Sequence, residues 1–227
     1  MELSVADVAR LLKVNEQQVD DWIRHDRLPG YTVQDVLRFN RDEVLEWAAT
    51  HHVKVSLASG GESLPSGGIV QALERGGVFF QVPGDTREAV LHEVAQRLPL
   101  PPGSDRELFE HMLVAREIAN PTGIGDGIAI PHVNTPLIIP GGRSSISLLF
   151  LNHPVQWYAG DRQPVFCLFV LISPTVSEHL SRLASLANLL QIKEFIALLQ
   201  KRPAIDELLT KLRGWERPEP VAGKEQP

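Results

Sequence analysis

The feature that most constrains this chain is a break near its first quarter, where SLASGGESLPSGG runs from Ser56 to Gly68 with almost no bulky apolar side chain. A Gly/Ser-rich stretch of this kind gains little from burial and behaves as a flexible tether. The chain is therefore expected to divide into a small unit at residues 1–55 and a larger one at 68–213, joined by a linker at 56–67. With 227 residues and 43% hydrophobic content, both units have enough apolar material to enclose cores of their own. A second polar stretch, GWERPEPVAGKEQP at 214–227, contains three prolines and reads as a disordered tail in which Trp215 is the one side chain able to dock.

Several function classes drop out early. Charges interrupt the apolar residues of the opening MELSVADVARLL, and no apolar run approaches the roughly 20 residues of a membrane span, so a cytoplasmic protein without membrane insertion is expected. The single cysteine, Cys167, lies inside the apolar run VFCLFVLI and reads as a core residue, which leaves no intrachain disulfide. A net charge of −6 argues against coating nucleic acid by bulk electrostatics, while permitting a local basic patch on a small module. The eight histidines show no zinc-site spacing, so neither a metal nor a cofactor is expected.

In residues 1–55, Ser4 is placed to cap a helix whose apolar positions Val5, Val8, Leu11 and Leu12 recur at helical spacing. A turn at Lys13-Val14-Asn15 leads to a second helix over 16–25, which Leu28-Pro29-Gly30 terminates. Residues 31–39 read as a hairpin-like wing, and Asn40 caps a third helix over 41–49. This order resembles the small DNA-binding modules of the excisionase and MerR type, carried by Leu3 to Leu12, Val19-Asp20-Asp21-Trp22-Ile23, Arg27-Leu28-Pro29-Gly30, Leu37-Arg38-Phe39 and Val44-Leu45-Glu46-Trp47. The resemblance implies a winged helix-turn-helix whose second helix enters the major groove, with Gln17, Gln18, Arg24 and, on the wing, Arg38 as DNA contacts. Ten acidic side chains against seven basic ones over 1–55, with Asp20 and Asp21 on that helix, favour equally a module kept for protein contacts or dimerisation.

From Ile69 onward helices and strands alternate. Helices are expected over 69–76, 86–98, 104–117, 176–190, 192–199 and 204–212, a short strand at 127–131 and buried strands at 145–151 and 165–171. The fold class is α/β, a sandwich with a mixed sheet flanked by helices. Gly123, Gly125 and Gly127 are expected to let the backbone turn tightly and approach an anionic group. Ile128-Ala129-Ile130 then ends at Pro131, which delivers His132 at a strand end.

Arg116-Glu117, Thr122-Gly123-Ile124-Gly125 and Gly127-Ile128-Ala129-Ile130-Pro131-His132 are similar to the signature of enzyme IIA domains of the phosphotransferase system, of the mannitol/fructose and nitrogen-regulatory type. The likeness continues through Pro154-Val155-Gln156-Trp157, Gly160 to Val165, Ile172-Ser173-Pro174 and His179-Leu180, covering 68–213. The resemblance implies that His132 accepts a phosphoryl group from an HPr-type phosphocarrier protein, with Arg116 holding phosphoryl oxygens and His179 and Thr122 donating hydrogen bonds. It also implies a regulatory phosphocarrier acting through DNA or a protein partner of residues 1–55. The alternatives are a transport enzyme IIA serving a separate enzyme IIB, and a transcription factor with an unphosphorylated sensor domain. Glu117 reads as the partner of a nearby base, and His92, His111 and His153 as surface residues. After His132 the chain departs from the family pattern at Val133 to Pro136 and Ile138 to Gly142.

Overall fold

The computed structural model describes residues 2–56, 68–133 and 143–216. Its amino-terminal module runs β1 (Glu2–Leu3), α1 (Val5–Leu12), α2 (Glu16–His25), β2 (Tyr31–Val33), β3 (Val36–Asn40) and α3 (Arg41–Thr50). The helix starts follow from local chemistry. Ser4, Asn15 and Asn40 each sit in extended backbone and accept a hydrogen bond from a first-turn amide, and Ser4 and Asp7 close a reciprocal capping box. β2 and β3 form the wing hairpin, turning at Gln34 and Asp35, which both take positive φ, and β1 adds a third strand against β3.

The larger part contains α4 (Ile69–Gly76), β4 (Val78–Val82), α5 (Arg87–Arg97), α6 (Arg106–Ala119), β5 (Gly123–Gly125), β6 (Ile128–Ala129), β7 (Ser145–Val155), β8 (Val165–Ile172), α7 (Val176–Leu189), α8 (Lys193–Gln200) and α9 (Ile205–Glu216). Its five-stranded sheet has the order β4-β7-β8-β6-β5. β4 runs parallel to β7 and β6 parallel to β8, while β7–β8 and β5–β6 are antiparallel. β8 shows why both faces must be covered. Cys167, Phe169 and Leu171 enter one core with α7, α8 and α9, whereas Leu168, Val170 and Ile172 enter the other with α5 and α6. A strand apolar on both faces belongs at the centre of a sheet between two helical layers. Burial pushes the Cys167 thiol pKa far up, in keeping with a core residue.

Three points differ from the sequence reading. β4 and β5 carry no alternating pattern strong enough to announce them, and β4 is held by its pairing with β7. Ser56 is no part of a tether, since it is buried and its amide donates to the Leu11 carbonyl at 2.7 Å; the rest of the expected linker, 57–67, lies outside the described residues. α9 runs to Glu216, past the expected tail boundary, and Trp215 packs edge-on against Phe195 at 5.7 Å between centroids. The remaining tail, 217–227, and the departures at 134–142 also lie outside the described residues.

The two parts share one core. Val44, Leu45 and Ala48 of α3 belong to the same apolar cluster as Ile124, Leu180, Leu183 and Ala187. α3 is packed so completely that every residue from Val44 to Ala49 is buried, Glu46 included. The strand-like exit from α3 is clasped as well. Asn188 accepts from the Val55 amide and donates to the Val55 carbonyl, both at 2.9 Å, and Gln191 donates to the Val53 carbonyl at 2.6 Å.

Candidate phosphoryl-accepting site

His132 leaves the sheet at the end of β6, where it bridges to Leu171 of β8. Its Nδ1 lies 2.7 Å from the Ile130 carbonyl, which can only accept, so Nδ1 carries a proton and Nε2 is the ring nitrogen turned toward the rest of the cluster. The side chain is completely buried. Nε2 lies 3.0 Å from Oε1 of Glu46, a pair that is ionic when the ring is protonated, and off the line of a straight hydrogen bond.

Arg116, in the last turn of α6, donates through one guanidinium nitrogen to the Asn120 carbonyl and through the other to the same Oε1 of Glu46. It thus caps its own helix and holds an anion. His179 enters from the first turn of α7, with its ring centroid 5.0 Å from that of His132. Burial, reinforced by the nearby His132, pushes the His179 pKa down to about 3 and keeps the ring neutral. Its Nε2 is buried and makes no hydrogen bond among the described residues. Three sequence-predicted residues, His132, Arg116 and His179, therefore lie in one buried cluster, the first two meeting on a single oxygen of Glu46.

Thr122 does not join them. Its amide and hydroxyl both donate to the Glu117 carboxylate, at 2.7 and 2.6 Å, so the hydroxyl is committed to bracing the turn between α6 and β5. Glu117 accordingly partners Thr122 rather than a base; Arg87 reaches only its backbone carbonyl. Burial pushes the Glu117 carboxyl pKa up. The three glycines do not cradle an anion either. A Cβ on Gly123 would meet that of Ala159 at 2.8 Å, one on Gly127 would meet the Phe166 ring at 2.6 Å, and Gly125 and Gly127 take positive φ in the hairpin turn. They permit close packing of β5–β6 against the Ala159–Arg162 loop and β8.

The sequence reading missed Glu46. Burial pushes its carboxyl pKa up, but the adjacent His132 ring and the Arg116 guanidinium outweigh that and leave it below the usual range. Asp42, one turn earlier on α3, is pushed up by burial and lies near enough to feel the charges of His132 and Arg116. A signal was present: Glu46 is a lone carboxylate inside Val44-Leu45-Glu46-Trp47-Ala48-Ala49, a helical run apolar all round.

The other expected contacts lie on the far module. Gln17, Gln18 and Arg24 are exposed on α2, and Arg38 is half-buried on β3. None of them approaches the His132 cluster, and the outer face of α2 stays open. His92, His111 and His153 are exposed.

A mixed sheet between helical layers, with a buried histidine, arginine and second histidine at one sheet end, is the setting in which comparison with known proteins places the fold. Residues 71–213 match the family described as phosphoenolpyruvate-dependent sugar phosphotransferase system, EIIA 2, and residues 2–52 match a helix-turn-helix domain. The chain belongs to the EIIA 2 family and carries an amino-terminal helix-turn-helix domain. It is 37% identical over 143 residues to the nitrogen regulatory protein of Pseudomonas aeruginosa, covering 61% of this chain and 90% of that protein. It is 31% identical over 132 residues to the 2-O-alpha-mannosyl-D-glycerate-specific EIIABC component of Escherichia coli, covering 56% of this chain but only 20% of that protein. Among solved structures, nitrogen regulatory protein IIA-Ntr from Neisseria meningitidis superposes with a TM-score of 0.52 at 25% identity, covering 60% of this chain and 91% of that one. Among the described residues, no helix is long and apolar enough to cross a membrane.

Proposed function

We propose that this protein is a regulatory phosphocarrier whose His132 accepts a phosphoryl group from an HPr-type phosphohistidine protein and whose output is the helix-turn-helix module, through DNA or a protein partner. The observation that carries the reading is the buried cluster in which His132 Nε2 and the Arg116 guanidinium share one carboxylate oxygen of Glu46, with the His179 ring beside that of His132. The Nε2 lone pair attacks phosphorus as the donor's N–P bond breaks, and that bonding pair returns to the donor's ring nitrogen. Nδ1 keeps its proton, fixed by the Ile130 carbonyl. Arg116 balances phosphoryl charge without being able to lose its proton, and His179, held neutral, supplies an N–H. Such a transfer rests on positioning and charge stabilisation.

Similarity over nearly the whole length of a nitrogen regulatory protein supports regulation, and the attached helix-turn-helix domain supports an output separate from sugar transport. The test is transfer of labelled phosphate from phosphoenolpyruvate through the general phosphotransferase enzymes. Acid-labile label on the wild type that vanishes in His132→Ala is the expected result. Absence of label in both, with a folded protein and an active relay, would refute it. Rapid onward transfer to a separate enzyme IIB, with no effect of phosphorylation on the module's binding, would favour the transport role.

A further inference from the structure

The same site, read as above, holds an occupant. We propose that α3 of the amino-terminal module is a built-in plug of the phosphoryl site, with the Glu46 carboxylate in the place of a phosphoryl group, so that docking of the module and phosphorylation of His132 exclude each other. The inference rests on His132 being the accepting residue.

Three observations carry it. Glu46 Oε1 is shared by Arg116 and His132, which is how an oxygen of a phosphoryl group on Nε2 would be held. With that oxygen 3.0 Å from Nε2, a phosphorus bonded to Nε2 would lie inside the carboxylate's van der Waals surface, and His132 has no exposed surface through which a donor could reach it. The covering is also a built interface. α3 packs on α7 and β5 through the shared core, and Asn188 and Gln191 clasp the backbone at Val55 and Val53.

Charge completes the device. A phosphoryl group brings about −1.5 to −2 at pH 7. It would face Glu46 and, one turn away, Asp42, both on the docked helix. Phosphorylation thus replaces an attraction between Glu46 and Arg116 with repulsion and with competition for the same guanidinium. The unphosphorylated chain holds its module docked, and the phosphorylated chain releases it. The face of α2 is open when docked, so release changes the orientation and freedom of that face rather than uncovering it.

The test uses the full chain. Phosphoryl transfer from the HPr-type donor is timed for wild type, Glu46→Ala and Asn188→Ala, and amide hydrogen exchange in α3 and at Val53 and Val55 is followed before and after phosphorylation. Asn188→Ala leaves the site's own side chains intact, so it stands if Glu46→Ala folds poorly. At least tenfold faster labelling in the variants, with loss of protection in α3 on phosphorylation, is the expected result. Equal labelling rates with unchanged α3 protection would overturn the plug while leaving the phosphocarrier reading in place. No label in any of the three, with an active donor, would instead overturn the phosphocarrier reading and the plug with it.

Discussion

α2 and α3 are helices of equal length in the same small module, yet α2 buries only Val19 while α3 buries six consecutive residues. A helix serving one core needs one apolar stripe and keeps a solvated face. α3 has none because it serves two neighbours, its own module on one side and α7 and β5 on the other. The difference teaches which helix of a helix-turn-helix is committed internally and which is left for an outside partner. Glu46 follows from it, since a carboxylate on a helix buried all round must find a cation, and Arg116 and His132 provide the site.

The largest effect should come from deleting packing in α3. Leu45→Ala, at a side chain with no exposure, is expected to cost about 4 kcal/mol in urea unfolding, whereas Gln17→Ala on the exposed face of α2 should stay within about 0.5 kcal/mol. Similar costs at the two positions would break the comparison.

Acid should expose what α3 keeps dry. His179 titrates near 3 when folded against an ordinary value of 6.5, so the unfolded chain binds the extra proton and stability falls as pH drops from 6.5 toward 3. Relative to His179→Asn, the wild type should lose about 3 kcal/mol between pH 6.5 and pH 4, at about 1.4 kcal/mol per pH unit. Glu46, with its depressed pKa, acts in the same sense, because its contribution is present above the ordinary carboxylate range and is lost as pH falls through its lowered value. A pH-independent difference between wild type and variant would mean that His179 is solvated.

Asn188→Ala removes two hydrogen bonds to Val55 and is expected to cost about 1 to 2 kcal/mol, measured by denaturant unfolding, with the greatest loss of hydrogen-exchange protection in α3. The smallest stability effect belongs to Arg24→Ala, within about 0.5 kcal/mol. If the open face of α2 contacts DNA, the same change should lower the salt slope of binding by about 1, read from titrations at several salt concentrations.

Much was legible locally. Ser4, Asn15 and Asn40 are side chains that cap the helices beginning at Val5, Glu16 and Arg41, and the central strand follows from an apolar run too long and too β-branched for a surface position. Thr122 and the three glycines were legible as a turn but not in purpose, because a hydroxyl that braces a turn and one that meets a ligand have the same sequence signature. β4 and β5 depend on their neighbours' pairing and left little pattern of their own.

The sequence by itself determined that His132 follows a short strand at Pro131, that Arg116 and His179 accompany it, and that a helix-turn-helix precedes the IIA fold. Only the tertiary structure decided that Glu46 sits on those residues, 70 positions before Arg116 in the chain. The physical reason is that periodicity reports how much of a helix is apolar but not what covers it. Hydrophobic burial has no direction along the sequence, so the second partner of α3 emerges only when both cores are built.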